Sequence, residues 1–289
     1  MKIFMSRLHL LIFFFIIHHS LYSQYTDIIN SNRPGNSFGA FSVGKNIIQL
    51  ESGVFHTDEK HELLNYNSVG NGLDFSLRFG FLNEKLEIIL NGIYQSDEFS
   101  DQRYTPPNKY NRKNFKEFKI GGKYLIYDPR KNMDNKPNVY SYWSDKKFKL
   151  KNLIPAISVY LGLNIDSKNN PYTNPNLNGI SPSVSLITQS NISNRSALII
   201  NLNLERFTSQ QSDFEYVLSL TNAFSEKFIG FIEKHGIKSD FYSENKLSTG
   251  LAYLFLENLQ VDLGTTVNFK NTPKIFYINL GFSYRYNLN

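Results

Sequence analysis

The chain of 289 residues contains no cysteine. That excludes a disulfide framework, a thiolate metal centre and a lipid-modified N-terminal cysteine. Its six histidines include no His-Glu-x-x-His pair, so metal-assisted hydrolysis lacks ligands. Long apolar runs are missing too: apart from Leu8 to Ile17, nothing approaches the roughly 20 residues that a spanning helix needs. If the chain crosses a bilayer, it must do so with strands. Charge of one sign is also not concentrated. Thirty-one basic and 25 acidic residues interleave along the chain, whereas nucleic-acid binding calls for a basic face with aromatic platforms. The runs Lys109 to Lys123 and Lys146 to Lys151 read as solvated loops and strand ends, or as positions near anionic headgroups.

What is present points to strands. Twenty-four phenylalanines and 18 tyrosines accompany many asparagines and serines, a composition of aromatic strands joined by polar turns. A mean hydropathy of -0.34 does not argue against a membrane barrel, because only alternate strand residues face lipid. Met1 to Ser23 carries Lys2 and Arg7 before the apolar run and small or polar residues after it, and reads as a secretory signal peptide. Its removal lowers the formal net charge of +6 by two and leaves the mature chain mildly basic.

The most regular segment is the last, Ile275 to Tyr286. Phe276, Ile278, Leu280, Phe282, Tyr284 and Tyr286 alternate there with Tyr277, Asn279, Gly281, Ser283 and Arg285, placing a greasy face opposite a polar one. Gly72 to Leu82 repeats the pattern, with Leu73, Phe75, Leu77, Phe79 and Phe81 against Asp74, Ser76, Arg78 and Gly80. Ten further strands are expected at 46–56, 86–96, 115–127, 153–164, 180–190, 196–207, 213–224, 227–235, 247–256 and 259–269. Lys116 alone breaks the parity of its strand. Lipid tolerates no open sheet edge, and an even strand number returns both ends to one side. The expected fold is therefore all-β: a single antiparallel transmembrane barrel of about 12 strands, its first strand meeting its last, after a cleaved signal peptide. The expected organisation is a signal segment 1–23, a periplasmic or luminal leader 24–45, and a barrel 46–289 with a long periplasmic connector at 128–152. Segments 57–71, 97–114 and 165–179 read as long polar outer loops. A soluble sandwich or ligand-binding barrel also alternates, but wide aromatics on one parity of twelve strands would overfill its interior.

Inward parity assigns Arg78, Glu87, Glu117, Lys119, Lys123, Glu205, Glu215, Glu233, Asp262 and Arg285 to the lumen, since a cationic side chain at the lipid midplane costs about 2–4 kcal/mol. Such mixed charges either brace a plugged barrel or line a selective path. Asn32, Arg33 and Pro34 open a second question. The leader either folds into the barrel, with Arg33 pairing a luminal acid and narrowing the periplasmic mouth, or hangs as a flexible tail.

A catalytic reading has little to stand on. An outer-membrane phospholipase, also a twelve-stranded barrel, needs a histidine followed two places later by serine. His56, His61 and His235 are followed instead by Asp58, Leu63 and Ile237. Glu233 and His235 share a strand parity and could touch, as structural neighbours.

Asn32-Arg33-Pro34-Gly35, then Val43-Gly44-Lys45 and Gln49-Leu50-Glu51-Ser52-Gly53, resemble landmarks of the MetA-pathway phenol-degradation family of outer-membrane transporter barrels. Gly121-Gly122-Lys123-Tyr124 and Gly281-Phe282-Ser283-Tyr284-Arg285-Tyr286 are similar to two more. Where the family has Thr-Asp, this chain has Ser31-Asn32, so a neighbouring aspartate cannot pair with Arg33. The chain ends in Asn289 rather than an aromatic, leaving Tyr284 and Tyr286 for the barrel-assembly machinery. The resemblance implies a bacterial outer-membrane transporter barrel and does not fix its substrate. The expected function is passive uptake of small molecules through a transporter or channel, with hydrophobic or aromatic ones among the candidates, in contact with lipid and lipopolysaccharide, and the residues themselves call for no cofactor, metal or nucleic-acid partner. The alternative is a non-conducting structural or partner-binding barrel, using outer loops or an aromatic cluster at Tyr140, Tyr142 and Trp143.

Overall fold

Strands whose alternate residues are apolar can satisfy every backbone group and still present a continuous greasy surface only by closing on themselves. The computed structural model describes residues 29–129, 150–173, 177, 179–209, 212–239, 243–268, 270 and 273–288. The expected signal segment and most of the connector, with Tyr140, Tyr142 and Trp143, lie outside them. Twelve antiparallel strands form a closed barrel: β1 (Ile47–His61), β2 (Tyr66–Gly80), β3 (Leu86–Asp101), β4 (Asn108–Tyr127), β5 (Ala156–Asp166), β6 (Gly179–Ser190), β7 (Ser196–Glu205), β8 (Asp213–Ala223), β9 (Phe228–Lys238), β10 (Ser243–Leu256), β11 (Leu259–Asn268) and β12 (Lys274–Asn287). Each pairs with its sequence neighbours. The seam is sealed by β1 and β12 in unbroken register from Ile47 opposite Asn287 to Lys60 opposite Lys274.

The final strand decides which side is which. Phe276, Leu280, Phe282, Tyr284 and Tyr286 are exposed on the outer wall, while Asn279, Gly281, Ser283 and Arg285 are buried within. The same holds around the barrel, where Leu73, Leu77, Ile120, Leu163, Leu202, Leu218 and Leu263 are all exposed. A soluble barrel would reverse this, so the outer girdle is built for lipid.

Lys116 has a structural cause. Pairing between β3 and β4 steps from Ile93 opposite Glu117 to Tyr94 opposite Phe115, leaving Lys116 as the extra residue of a β-bulge. The bulge resets the alternation.

The segments 57–71 and 97–114 are not loops. β1 and β2 run on to a four-residue turn at 62–65, and β3 and β4 to a turn at 102–107, giving strands of 15, 15, 16 and 20 residues. Above the hydrocarbon both faces are wet, so pairing continues where hydrophobic alternation has stopped. One side of the wall thus stands taller than the rest, whose strands have 10 to 14 residues.

Candidate functional site: the lumen and its leader

Residues 29–45 lie inside the barrel. They enter at the end where β1 begins and β12 finishes, with the Ile29 amide bonded to the Glu257 carbonyl at 2.9 Å. They rise to a turn at 33–36 and descend to β1. Arg33 marks the height of the turn, because its guanidinium lies on Gly53 and Gly281, which face each other across the seam. A side chain at either glycine would occupy the same space. Gly53 is six residues beyond Ile47, or about 15 Å along the barrel axis at ~3.4 Å per residue and a tilt near 40°. That is close to the middle of a ~30 Å hydrocarbon core.

A segment with no strand partner must find its backbone hydrogen bonds elsewhere. Luminal amides supply many of them. Asn201 accepts from the Phe38 amide at 2.6 Å and donates to its carbonyl at 2.9 Å. Gln189 accepts from Ala40 at 3.0 Å. Gln49 donates to Asn30, Gln260 to Arg33 and Asn279 to Pro34. Glu233, fully buried on β9, accepts from the amides of Asn36 (2.9 Å) and Ser37 (3.1 Å), so its charge caps the leader turn. His235 does not join it and instead stands 3.7 Å from Glu215.

Charges complete the attachment. Arg33 pairs with Asp74 and, at 3.2 Å, with Asp262. Asn32 uses its side-chain oxygen to hold the Gly39 amide at 3.0 Å, closing the leader on itself. Along the wall, Glu51 on β1, Arg78 on β2, Glu87 on β3 and Lys123 on β4 form a buried chain of ion pairs at 3.1, 3.1 and 2.7 Å. Lys123 also donates to the carbonyls of Gly39 (2.5 Å) and Phe41 (3.0 Å), and Glu87 accepts from the Val43 amide at 2.8 Å. Arg285 donates to Gln49 at 3.1 Å. Around Ala40 an apolar knot forms from Phe38, Phe41, Ile89, Leu125, Ala156, Tyr160 and Ile187. Two of these, Ile89 and Ile187, are inward-facing apolar residues that parity alone leaves without a role.

The remaining predicted residues gather above the leader. Lys119 pairs with Glu205 at 3.0 Å and Glu117 at 3.2 Å, and Glu215 stands beside them. Over this throat lies a cavity of about 400 Å³, bordered by Phe55, Tyr277, Tyr172, Arg206, Glu244 and Lys246 among others. Below, a second cavity of about 200 Å³ continues beside the leader, between Arg33, Asp74, Asn91, Tyr160 and Asn203. Glu117, Lys119, Glu205, Glu215, His235 and Tyr277 border both.

At the far rim the β5–β6 connection leans inward. Asn170 donates to the Phe115 carbonyl at 2.7 Å, and the Tyr172 hydroxyl reaches the carbonyls of Gln95 and Arg112. Arg112 lies over the Phe99 ring at 4.3 Å and holds Asp97 with two bonds of 2.9 and 2.8 Å. Burial disfavours the Asp97 charge, but Arg112, Ser68 and Gln95 outweigh it and hold the carboxyl below the usual carboxylate range.

The ten charged luminal candidates thus divide between leader attachment and throat. Glu51, Asp74, Gln49, Gln189, Asn201, Gln260 and Asn279 escaped selection, although each lies on an inward parity. No excess of residue type marks them, since buried serines outnumber buried asparagines and glutamines among the described residues.

Comparison with solved structures places the architecture. An outer membrane channel from Pseudomonas putida F1 aligns over 89% of this chain and 100% of its own at 8% identity, with a TM-score of 0.54. The translocator domain of the autotransporter NalP from Neisseria meningitidis aligns over 84% and 89% at 8% identity, with a TM-score of 0.50. These are likenesses of fold, that of bacterial outer-membrane barrels. No curated protein matches the chain. Residues 31–286 match the family described as "Putative MetA-pathway of phenol degradation", and the chain belongs to that family.

Proposed function

We propose that this protein is an outer-membrane channel for passive movement of small molecules, closed on its periplasmic side by its own leader. Residues 1–23 serve as its export signal. The observation that carries this reading is the unequal filling of the lumen. A purely structural barrel gains stability from a filled interior throughout, yet here a 400 Å³ cavity opens above the throat and a second continues past it beside the leader. The charged side chains act by position and field, and the reading assigns them no catalytic step. Lipid and lipopolysaccharide surround the outer girdle, and Tyr284 and Tyr286 on β12 offer an aromatic end signal to the assembly machinery.

The pinned leader favours a second reading, a permanently closed structural barrel. Planar-bilayer recordings of Arg33→Ala separate the two. Removing Arg33 strands Asp74 and Asp262 together, which loosens the turn and should raise single-channel conductance. Unchanged current would favour the closed barrel. Liposome swelling with sugars, amino acids and small aromatics then ranks what passes.

A further inference from the structure

The chain is basic overall, yet its throat is acidic. Glu117, Glu205 and Glu215 gather around Lys119, whose ammonium is shared between Glu205 and Glu117, while the other charges of the upper cavity, Glu59, Asp213 and Glu244 against Lys116, Arg206 and Lys246, balance in number. Glu215 has His235 at 3.7 Å, beyond hydrogen-bond distance. Counted over carboxylates, lysines and arginine alone, the throat carries two negative charges in excess.

Hydrogen-bonding groups beside it point the same way. Tyr160 is 3% exposed and Asn203 is 8% exposed, and both border the lower cavity. Among the described residues the Tyr160 hydroxyl and the side-chain oxygens of Asn203 and Asn91 have no hydrogen-bond partner. Amide oxygens can only accept. Tyr160 is placed by its neighbours: its ring lies across Gly121 and Gly162, where any Cβ would collide with it, and stacks at 6.1 Å on Phe38 of the leader. Its hydroxyl is thereby fixed beside the lower cavity. On the opposite wall, Phe55 and Tyr277 form an aromatic pair with ring centres 4.9 Å apart. An excess of carboxylates, unpaired acceptors and an aromatic wall suit a ligand that brings N–H donors, positive charge and an apolar body.

We propose that the throat is a binding site for small organic ammonium ions with an aromatic or aliphatic body, held by Glu117 and Glu215 with Asn203, Asn91 and Tyr160 as further hydrogen-bond partners. This deepens the channel reading by naming a substrate class, and rests on it for physiological meaning. The binding itself does not require conduction.

The test uses the full mature chain in detergent, with barrel folding checked by heat-modifiable migration on gels. Titration calorimetry compares benzylammonium, benzyl alcohol and benzoate, which share a ring and differ in charge. Benzylammonium should bind roughly tenfold or more tightly than benzyl alcohol, and benzoate most weakly. The double variant Glu117→Gln, Glu215→Gln should erase the difference, and Tyr160→Phe should weaken benzylammonium by a smaller factor. Equal binding of the three ligands, preference for benzoate, or an unaffected double variant would overturn the proposal. The wild-type comparison stands even if the double variant fails to fold. Ammonium binding without any conduction would refute the channel and leave the site, whereas conduction without ammonium preference would do the opposite.

Discussion

The lower and upper halves of the lumen are made from the same residue types and solve opposite problems. Below the throat, carboxylates, amides and a lysine are spent on a foreign backbone: Glu233 holds two amides, Lys123 two carbonyls, Asn201 one of each. Above it, the charged groups face one another and a cavity. Burying a charge is tolerable only with partners, and the leader provides them in one half. In the other the charged groups pair with one another, as Lys119 does with Glu205 and Glu117, around the open cavity. Residue type therefore does not reveal whether a luminal charge braces or selects; what lies opposite does.

The comparison breaks most completely at the leader. Lys123→Met leaves Glu87 and two carbonyls short of a donor, and loss of one partner of a buried pair costs about 3–5 kcal/mol. Urea unfolding followed by gel migration should show a large fall in stability, with raised conductance. Glu233→Gln keeps the shape but makes the acceptor neutral. Hydrogen bonds to a charged group are worth about 1.5–3 kcal/mol each, so the leader turn should release while the barrel stays folded, seen as faster protease cleavage near Asn36. A control on the outer wall, Leu280→Arg, should cost about 2–4 kcal/mol in the same unfolding assay without altering conductance, since it touches neither half. The smallest effect belongs to the rim. The folded-state pKa of Asp97 is depressed, so its bond to Arg112 stabilises the rim above the unfolded value of about 3.9 and is lost as pH falls through the lower folded value. Carboxyl NMR titration should place the Asp97 midpoint below that of a model aspartate, and Arg112→Ala should remove the difference.

How much of this was legible in the residues follows from which interactions are periodic. Lipid contact repeats every second residue, so β12 and β2 declare their faces outright and the remaining strands fall close to their expected bounds. Where lipid ends, the repeat ends, and the tall hairpins at 57–71 and 97–114 look like loops although their backbones stay paired. Lys116 appeared as a parity fault because a bulge leaves no composition of its own. The leader was legible in Arg33, whose charge asks for an acid. It was not legible in Gln189 or Asn201, because a side chain that bonds a backbone places no demand on the sequence it holds. Gly53 and Gly281 could be noticed as landmarks, but their reason lies in being opposite each other.

The seat of Arg33 is assembled from the two ends of the barrel sequence. Gly53 comes from the first strand and Gly281 from the last, and Asp74 and Asp262 flank them from β2 and β11. Until those ends meet, the seat is incomplete, so Arg33 gains its full set of neighbours only in a closed cylinder. A chain whose final hairpin has not yet zipped to the first strand offers Arg33 Asp74 and Gly53 alone, without Gly281 and Asp262 from the other side of the seam.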